Sequence, residues 1–76
     1  RPDCTVNQVN WNLEFSDPFR AEVQIRYRHQ GVTSTVTPLD GSRARIEFDE
    51  PQISIAPGQS AVFYQDDCVV GGGWLE

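Results

Sequence analysis

The chain has 76 residues, enough for one domain, and an apolar fraction of 38%, which predicts a thin core. Six arginines and no lysine stand against eleven acidic residues, and the resulting net charge of −5 argues against a free-standing nucleic-acid-binding protein, whose surface is usually basic. No apolar run approaches the roughly 18 residues of a membrane span, so we expect no membrane partner.

Short segments of alternating character begin near the amino terminus. Val6, Val9 and Trp11 indicate a less regular first strand. Residues 21–28 alternate cleanly between apolar and polar side chains, and this period of two predicts a half-buried strand. On this strand Tyr27 faces inward, whereas the arginines on either side of it face outward.

The rest of the chain repeats this pattern between Pro and Gly turns. Asp40-Gly41 is a strong turn signal, and the Pro51 and Pro57-Gly58 positions also break the chain. The predicted strands cover residues 33–39, 43–48, 53–55, 60–64 and 68–75. Six or seven short strands with no amphipathic helix predict an all-β fold, a small six-stranded antiparallel barrel, because an open sheet of this size would leave exposed edges.

Four arginines form two pairs that share a strand face by the period of two: Arg26 with Arg28, and Arg43 with Arg45. If consecutive strands pair, the Thr-rich strand 33–39 lies between these two pairs on one outer face. Guanidinium groups beside hydroxyls are suited to phosphate contacts. The alternative is a solvated face neutralised by Glu22 and Glu47.

No group of residues meets the requirements of a catalytic centre or a metal site. His29, the only histidine, lies next to a predicted turn, and two cysteines with one histidine do not complete a tetrahedral zinc site. We expect Cys4 and Cys68 to be free, partly buried thiols. A secreted module stapled by a Cys4–Cys68 disulfide remains an alternative.

Two further features have both a structural and a binding interpretation. Residues 71–73 are all glycine, which predicts a bulge or a close backbone approach, with a backbone contact to a ligand as the alternative. Gln59 follows the Pro57-Gly58 turn and is either an exposed loop amide or a contact to a base or ribose.

Several blocks of sequence resemble one known family. They are Val9-Asn10-Trp11, VQIRYR at 23–28, FDEP at 48–51, APGQSAVFY at 56–64 and VGGG at 70–73. In this order they are similar to the carboxy-terminal domain of the tRNA-specific 2-thiouridylase family, over almost the whole chain. Asn12, Gln24 and Trp74 depart from the residues usual in that family.

The resemblance implies a β-barrel similar to those of translation factors, covering residues 1–76 as the carboxy-terminal part of a larger cytoplasmic enzyme. The parent would be an ATP-dependent sulfurtransferase that thiolates the wobble uridine of tRNA, using ATP with Mg and a persulfide sulfur donor. Its partners would be tRNA, a sulfur-relay protein, and the catalytic and central domains of its own chain. Cys4 and Cys68 do not match the family's catalytic cysteines, so this domain is expected to hold no cofactor and no catalytic residue.

The resemblance also implies tRNA contacts at Arg26, Tyr27 and Gln59. Because Tyr27 should face inward, its contact would need a strand end or the main chain. Arg28, Arg43 and Arg45 are further candidates for RNA contact from the arginine pattern. A purely structural domain without RNA contact is the remaining alternative.

Overall fold

The computed structural model describes residues 2–25, 31–53 and 55–76, which contain six β-strands. All neighbouring strands are antiparallel, and their order β1-β4-β3-β2-β5-β6 closes into a barrel through the pairing of β1 with β6. The predicted six-stranded barrel is therefore confirmed. The strands are β1 (Asp3–Trp11), β2 (Phe19–Gln24), β3 (Val32–Leu39), β4 (Arg43–Phe48), β5 (Ser60–Gln65) and β6 (Cys68–Leu75).

The alternation seen in the sequence determines which side chains enter the core. In β4, Ala44, Ile46 and Phe48 are buried and every intervening residue is exposed, as predicted. The buried polar residue Ser34 satisfies its hydroxyl by donating to the Val32 carbonyl at 2.9 Å. Apolar side chains from all six strands fill the interior: Cys4, Val6, Val9, Ala21, Val23, Val36, Ala44, Ile46, Phe48, Ala61, Phe63, Val70 and Leu75.

An aromatic cluster packs where β1 ends and β2 begins. The Trp11 ring lies 5.9, 6.0 and 5.7 Å from the rings of Phe15, Phe19 and Phe63, measured between centroids. Phe15 and Phe19 stack at 3.8 Å. Such ring pairs contribute about 0.5–1.5 kcal/mol beyond area burial, so this cluster compensates for a core built largely of small side chains.

Two irregularities bend the strands where the barrel closes. The β1–β6 register shifts between Asn7 and Asn10, and Gln8 there has a φ of 51°. The Val9 amide donates to the Ser42 carbonyl at 2.8 Å, which ties this bulge to the predicted turn at Asp40-Gly41. A second shift, in the β5–β6 pair, lies between Phe63 and Tyr64. The irregularity predicted for the first strand is thus confirmed, and bulges of this kind supply barrel curvature.

Two predicted strands differ from the observed ones. β2 begins at Phe19 rather than Ala21 and ends at Gln24, because Ile25 lies in a bend. The predicted strand at 53–55 is wrong, since Ile53 and Ile55 belong to no strand and Ile53 is 87% exposed. Pro51 and Pro57 flank this segment and lack the amide hydrogen that strand pairing needs, and the six strands of the closed barrel leave no free edge for it to pair with.

No helix within the three described ranges is long and apolar enough to cross a membrane.

Candidate nucleic-acid interface

The outer side of β2, β3 and β4 carries the arginines of the described barrel, and we call it the charged face. Strand β3 lies between β2 and β4, as the arginine pattern predicts. Its outward threonines therefore face strands that bear arginine, with Thr35 opposite Arg20 and Thr37 opposite Arg45. This register places guanidinium groups and hydroxyls on one surface.

Arg20 is held in a fixed geometry on the charged face. Its Nη1 donates to Asp49 Oδ1 at 2.8 Å and to Thr35 Oγ1 at 3.0 Å, and its Nη2 donates to Asp49 Oδ2. Hydrogen bonds from Arg20, and to a smaller extent its positive charge, hold the pKa of the Asp49 carboxyl below its ordinary value. A bidentate pair of this kind leaves Arg20 with few donors for another anion.

Arg43 and Arg45, both predicted RNA contacts, also face carboxylates. Arg43 Nε and Nη2 donate to Glu76 at 2.7 and 2.9 Å, and these bonds lower the pKa of the Glu76 carboxyl. Arg45 Nη2 donates to Asp3 at 2.6 Å, and its Nε lies 3.8 Å from Glu47. The Arg45 pairs use single contacts rather than a fork, so Arg45 keeps more donors available than Arg20 does.

Three of the predicted contact residues fall outside the described part of the chain. Arg26, Tyr27 and Arg28 belong to residues 26–30, as does His29. Their predicted contacts with tRNA, and the predicted inward direction of Tyr27, remain predictions.

Gln59 has a structural role that the sequence pattern does not reveal. Its side-chain Oε1 accepts the Ala56 amide at 2.8 Å, and its carbonyl accepts the Leu75 amide at 2.8 Å. Gly58, with a φ of 89°, donates its amide to the Leu75 carbonyl at 2.8 Å. The turn is therefore joined to the end of β6, and Oε1 is already occupied. The amide Nε2 donates to none of the described residues, which leaves it for a partner.

The outer side of β5, β6 and β1 differs in chemistry, and we call it the uncharged face. It holds a shallow groove of about 310 Å³, lined along β6 by Gly72 and by the half-exposed side chains of Trp74 and Val69. None of the described residues that line this groove is charged; they are Gln8, Asn10, Asn12, Ser60, Ala61, Val62, Val69, Gly71, Gly72, Gly73 and Trp74.

The glycine triplet lets the strands of the uncharged face approach closely. A Cβ atom on Gly72 would lie 2.6 Å from the Ala61 carbonyl oxygen, and one on Gly71 would lie 2.9 Å from the Trp11 ring. At Gly73 it would lie 2.7 Å from Val6 Cγ1 and still closer to the Asn7 carbonyl oxygen. The predicted close backbone approach is confirmed, and the register shift in the β5–β6 pair places a bulge at Val70, directly before the triplet.

The cysteines lie at opposite ends of the β1–β6 ladder. Cys4 is buried and Cys68 is exposed, so partial burial was a wrong prediction for Cys68, which begins β6 directly after a turn. Val6 pairs with Leu75, and the strand rise of about 3.3 Å per residue then separates the cysteines by on the order of 20–30 Å. A disulfide needs roughly 4.4–6.8 Å between Cα atoms, so this geometry contradicts the stapled alternative.

Arg20 is the arginine of the charged face that the sequence pattern was not used to predict. The signal was present, because Phe19-Arg20 continues the alternation of residues 21–28 back to Pro18. Starting the strand two residues earlier places Arg20 on the same outer side as Glu22.

Within the described ranges, no three histidine, cysteine or carboxylate side chains come together in the way that a metal ion would require.

A family model described as the aminomethyltransferase beta-barrel domain matches residues 1–75. The chain belongs to this family. It is 56% identical over 78 aligned residues to the tRNA-specific 2-thiouridylase MnmA of Nostoc punctiforme, an alignment that covers 100% of the chain and 22% of that protein. For the enzyme of the same name from Serratia proteamaculans the identity is 52% over 73 residues, covering 93% of the chain and 20% of the relative. The resemblance found in the sequence is thereby confirmed, and the chain spans about one fifth of the length of these relatives.

Proposed function

We propose that this barrel is the carboxy-terminal domain of a tRNA-specific 2-thiouridylase, an ATP-dependent sulfurtransferase acting on the wobble uridine of tRNA. The observation that carries the proposal is the identity of 52–57% to 2-thiouridylases along nearly the whole chain. Domains that share this much sequence share their fold and usually their place in the parent enzyme.

The barrel's part in this reaction is binding rather than chemistry. The described carboxylates near its arginines are engaged in ion pairs, and the cysteines lie too far apart to act together. The parent's remaining domains would bind ATP with Mg, receive persulfide sulfur from a relay protein and carry out the transfer in the cytoplasm. The barrel would help to hold the tRNA beside them.

The charged face supports weak, salt-dependent contact with phosphate. An RNA phosphate would have to compete with Asp3, Asp49 or Glu76 for a guanidinium group, and the net charge of −5 opposes long-range attraction. Contact becomes favourable once other domains already hold the tRNA, because the local concentration of phosphate is then high. Arg26, Tyr27, Arg28 and Gln59 remain proposed contacts, with Arg43 and Arg45 beside them.

The activity is tested with the full-length enzyme that contains this barrel. Purified enzyme, ATP with Mg, a persulfide donor and unmodified tRNA should yield 2-thiouridine, detected by mass spectrometry of the digested tRNA. Absence of 2-thiouridine with a competent sulfur donor would refute the proposed reaction.

The tRNA contact is tested by two variants that change the charge equally. Arg45→Gln and Arg20→Gln each remove one positive charge from the charged face. Since Asp49 and Thr35 already hold Arg20, we expect Arg45→Gln to weaken tRNA binding by about tenfold and Arg20→Gln to weaken it much less. The Arg45 effect should diminish at high salt.

Arg26→Ala should behave like Arg45→Gln in the same assay of tRNA affinity at two salt concentrations. Thermal melting provides the folding control for each variant. Unchanged affinity in Arg26→Ala, Arg45→Gln and Gln59→Ala, with intact folding, would mean that the barrel is purely structural.

A further inference from the structure

The uncharged face has the composition of a surface that is covered in the complete protein. Trp74 is 48% exposed and Val69 is 44% exposed, on the same outer surface of β6. Amide and hydroxyl side chains from Gln8, Asn10 and Ser60 flank them. Protein interfaces combine exposed aromatic residues, few charges and adaptable polar groups in this way.

The electrostatics of this face disfavour RNA as its occupant. RNA binding depends chiefly on neutralising phosphates, and no described groove residue supplies a cation. The Asp66-Asp67 turn leads directly into β6 near the Val69 end, so carboxylates stand at that rim. The charged face, in contrast, presents Arg20, Arg43 and Arg45 on the other side of the barrel.

The geometry points to another part of the same polypeptide as the occupant: we propose that the uncharged face docks the barrel onto the preceding part of the parent 2-thiouridylase. This rests on the proposed function, since the chain covers 20–22% of the relatives and four fifths of their length lies outside it. Three strands about 4.8 Å apart and some six residues long make a patch of roughly 14 × 20 Å. Counted on both partners, a patch of this size would bury roughly 560 Å², close to the low end of interdomain interfaces, which bury roughly 600–1,500 Å².

The docking gives the two sides of the barrel different functions, attachment to the enzyme on one side and contact with tRNA on the other. When β5, β6 and β1 are docked, β2, β3 and β4 lie on the side that points away from the rest of the enzyme. Its arginines then face solvent, where a tRNA held by other domains can reach them. Gly72 favours the docking because it has no side chain that would keep a side chain of the docked domain away from the strand.

The direct test is hydroxyl-radical footprinting of the full-length enzyme without tRNA, read by mass spectrometry and normalised to the same protein in urea. An uncovered Trp74 would react at about half its unfolded rate, in line with its 48% exposure. Docking is expected to lower this to below about one tenth, as for a buried interface residue. Ile53, 87% exposed, serves as the internal control and should remain reactive.

A pair of matched variants tests the consequence of docking. Trp74→Arg and Leu39→Arg replace similarly exposed apolar residues, 48% and 41%, on the uncharged and charged faces. Limited proteolysis should cut the connection between the barrel and the rest of the enzyme several-fold faster in Trp74→Arg. Leu39→Arg should be cut like the wild type. Melting of the barrel in both variants shows that neither effect is unfolding.

Four outcomes would overturn the docking proposal. Trp74 could react at half its unfolded rate, or become protected only when tRNA is added, which would make RNA the occupant. Protection that vanishes on dilution would indicate a second copy of the chain. Equal proteolysis of the two variants would also contradict docking. The footprint needs no sulfur transfer, so an enzyme that protects Trp74 but forms no 2-thiouridine would refute the proposed reaction and leave the docking intact.

Discussion

The two faces of the barrel hold their strands together by different means. On the charged face, long arginine side chains reach carboxylates beyond their own strands, as Arg20 does to Asp49 after β4 and Arg45 does to Asp3 at the start of β1. On the uncharged face, glycines remove the side chains and the backbones approach until a Cβ atom would overlap a carbonyl oxygen. Substituting one member of an exposed ion pair costs little stability, whereas a side chain added at a close backbone contact forces the strands apart. The arginines of the charged face can therefore exchange one anionic partner for another, while the close contacts of β6 fix the shape of the barrel.

The largest effect on stability is expected in the glycine strand β6, from Gly73→Ala, whose Cβ would point into the core. Its new Cβ would overlap the Asn7 carbonyl oxygen and lie 2.7 Å from Val6 Cγ1, inside the closing β1–β6 seam. We expect a loss of about 3 kcal/mol in the free energy of unfolding, measured by urea titration, because a packed strand pair must separate.

Gly41→Ala provides the matched control for that substitution. Nothing lies within 4 Å of a Cβ at Gly41, but its φ of 75° strains any other residue. Its loss should be about 1–2 kcal/mol, from backbone strain alone. Equal losses in the two variants would show that the seam relaxes and that close approach is not what distinguishes the uncharged face.

An intermediate effect is expected at Gln59, whose turn is joined to β6. Gln59→Ala removes the acceptor for the Ala56 amide and should lower the free energy of unfolding by about 1 kcal/mol, measured by urea titration. Gln59→Glu keeps an oxygen in that place and removes only the amide donor. It should therefore retain stability and still weaken tRNA binding by the full-length enzyme.

The control for the added negative charge is Ala56→Glu, at an exposed position of the same turn that lies outside the groove of the uncharged face. If Gln59→Glu and Ala56→Glu weaken tRNA binding equally, the Gln59 amide makes no contact of its own. If Gln59→Glu is as unstable as Gln59→Ala, the acceptor is not what holds the turn.

The smallest effect is expected on the charged face, from Arg20→Gln. Because Arg20 lowers the pKa of Asp49 in the folded state, their pair stabilises the protein above the carboxyl's unfolded pKa of roughly 3.9, and this stabilisation is lost as the pH falls through the folded value. Arg20→Gln should thus make acid unfolding, followed by fluorescence, slightly less steep below about pH 4. Salt at about 1 M should remove most of the difference by screening. A variant as acid-sensitive as the wild type at low salt would show that the pair does not stabilise the fold.

Much of the fold could be predicted because its signals are local. The alternation of residues 43–48 predicted β4 to the residue, and Asp40-Gly41 predicted the turn before it. The glycine triplet predicted a close approach between two backbones, because glycine within a strand commonly marks a position where a side chain would not fit. The arginine-bearing strands flank β3 because neighbours in the chain pair in antiparallel hairpins.

The candidate site was less predictable because its contacts join residues far apart in the chain. Arg43 meets Glu76 and Arg45 meets Asp3, at separations of 33 and 42 residues, only because the barrel closes with a particular register. The Gln59 turn likewise depends on the end of β6. Ile53 and Ile55 show the alternation of a strand, but the closed barrel has no free sheet edge with which their segment could pair.

The sequence alone therefore determined the family and, apart from the segment 53–55 and the bounds of β2, the strands and their inward and outward faces, since each follows from the order of neighbouring residues. The tertiary structure decided which carboxylate each described arginine meets, and it separated the charged face from the uncharged one. These features depend on the pairing of β1 with β4 and β6, and no local period encodes which distant strands will meet.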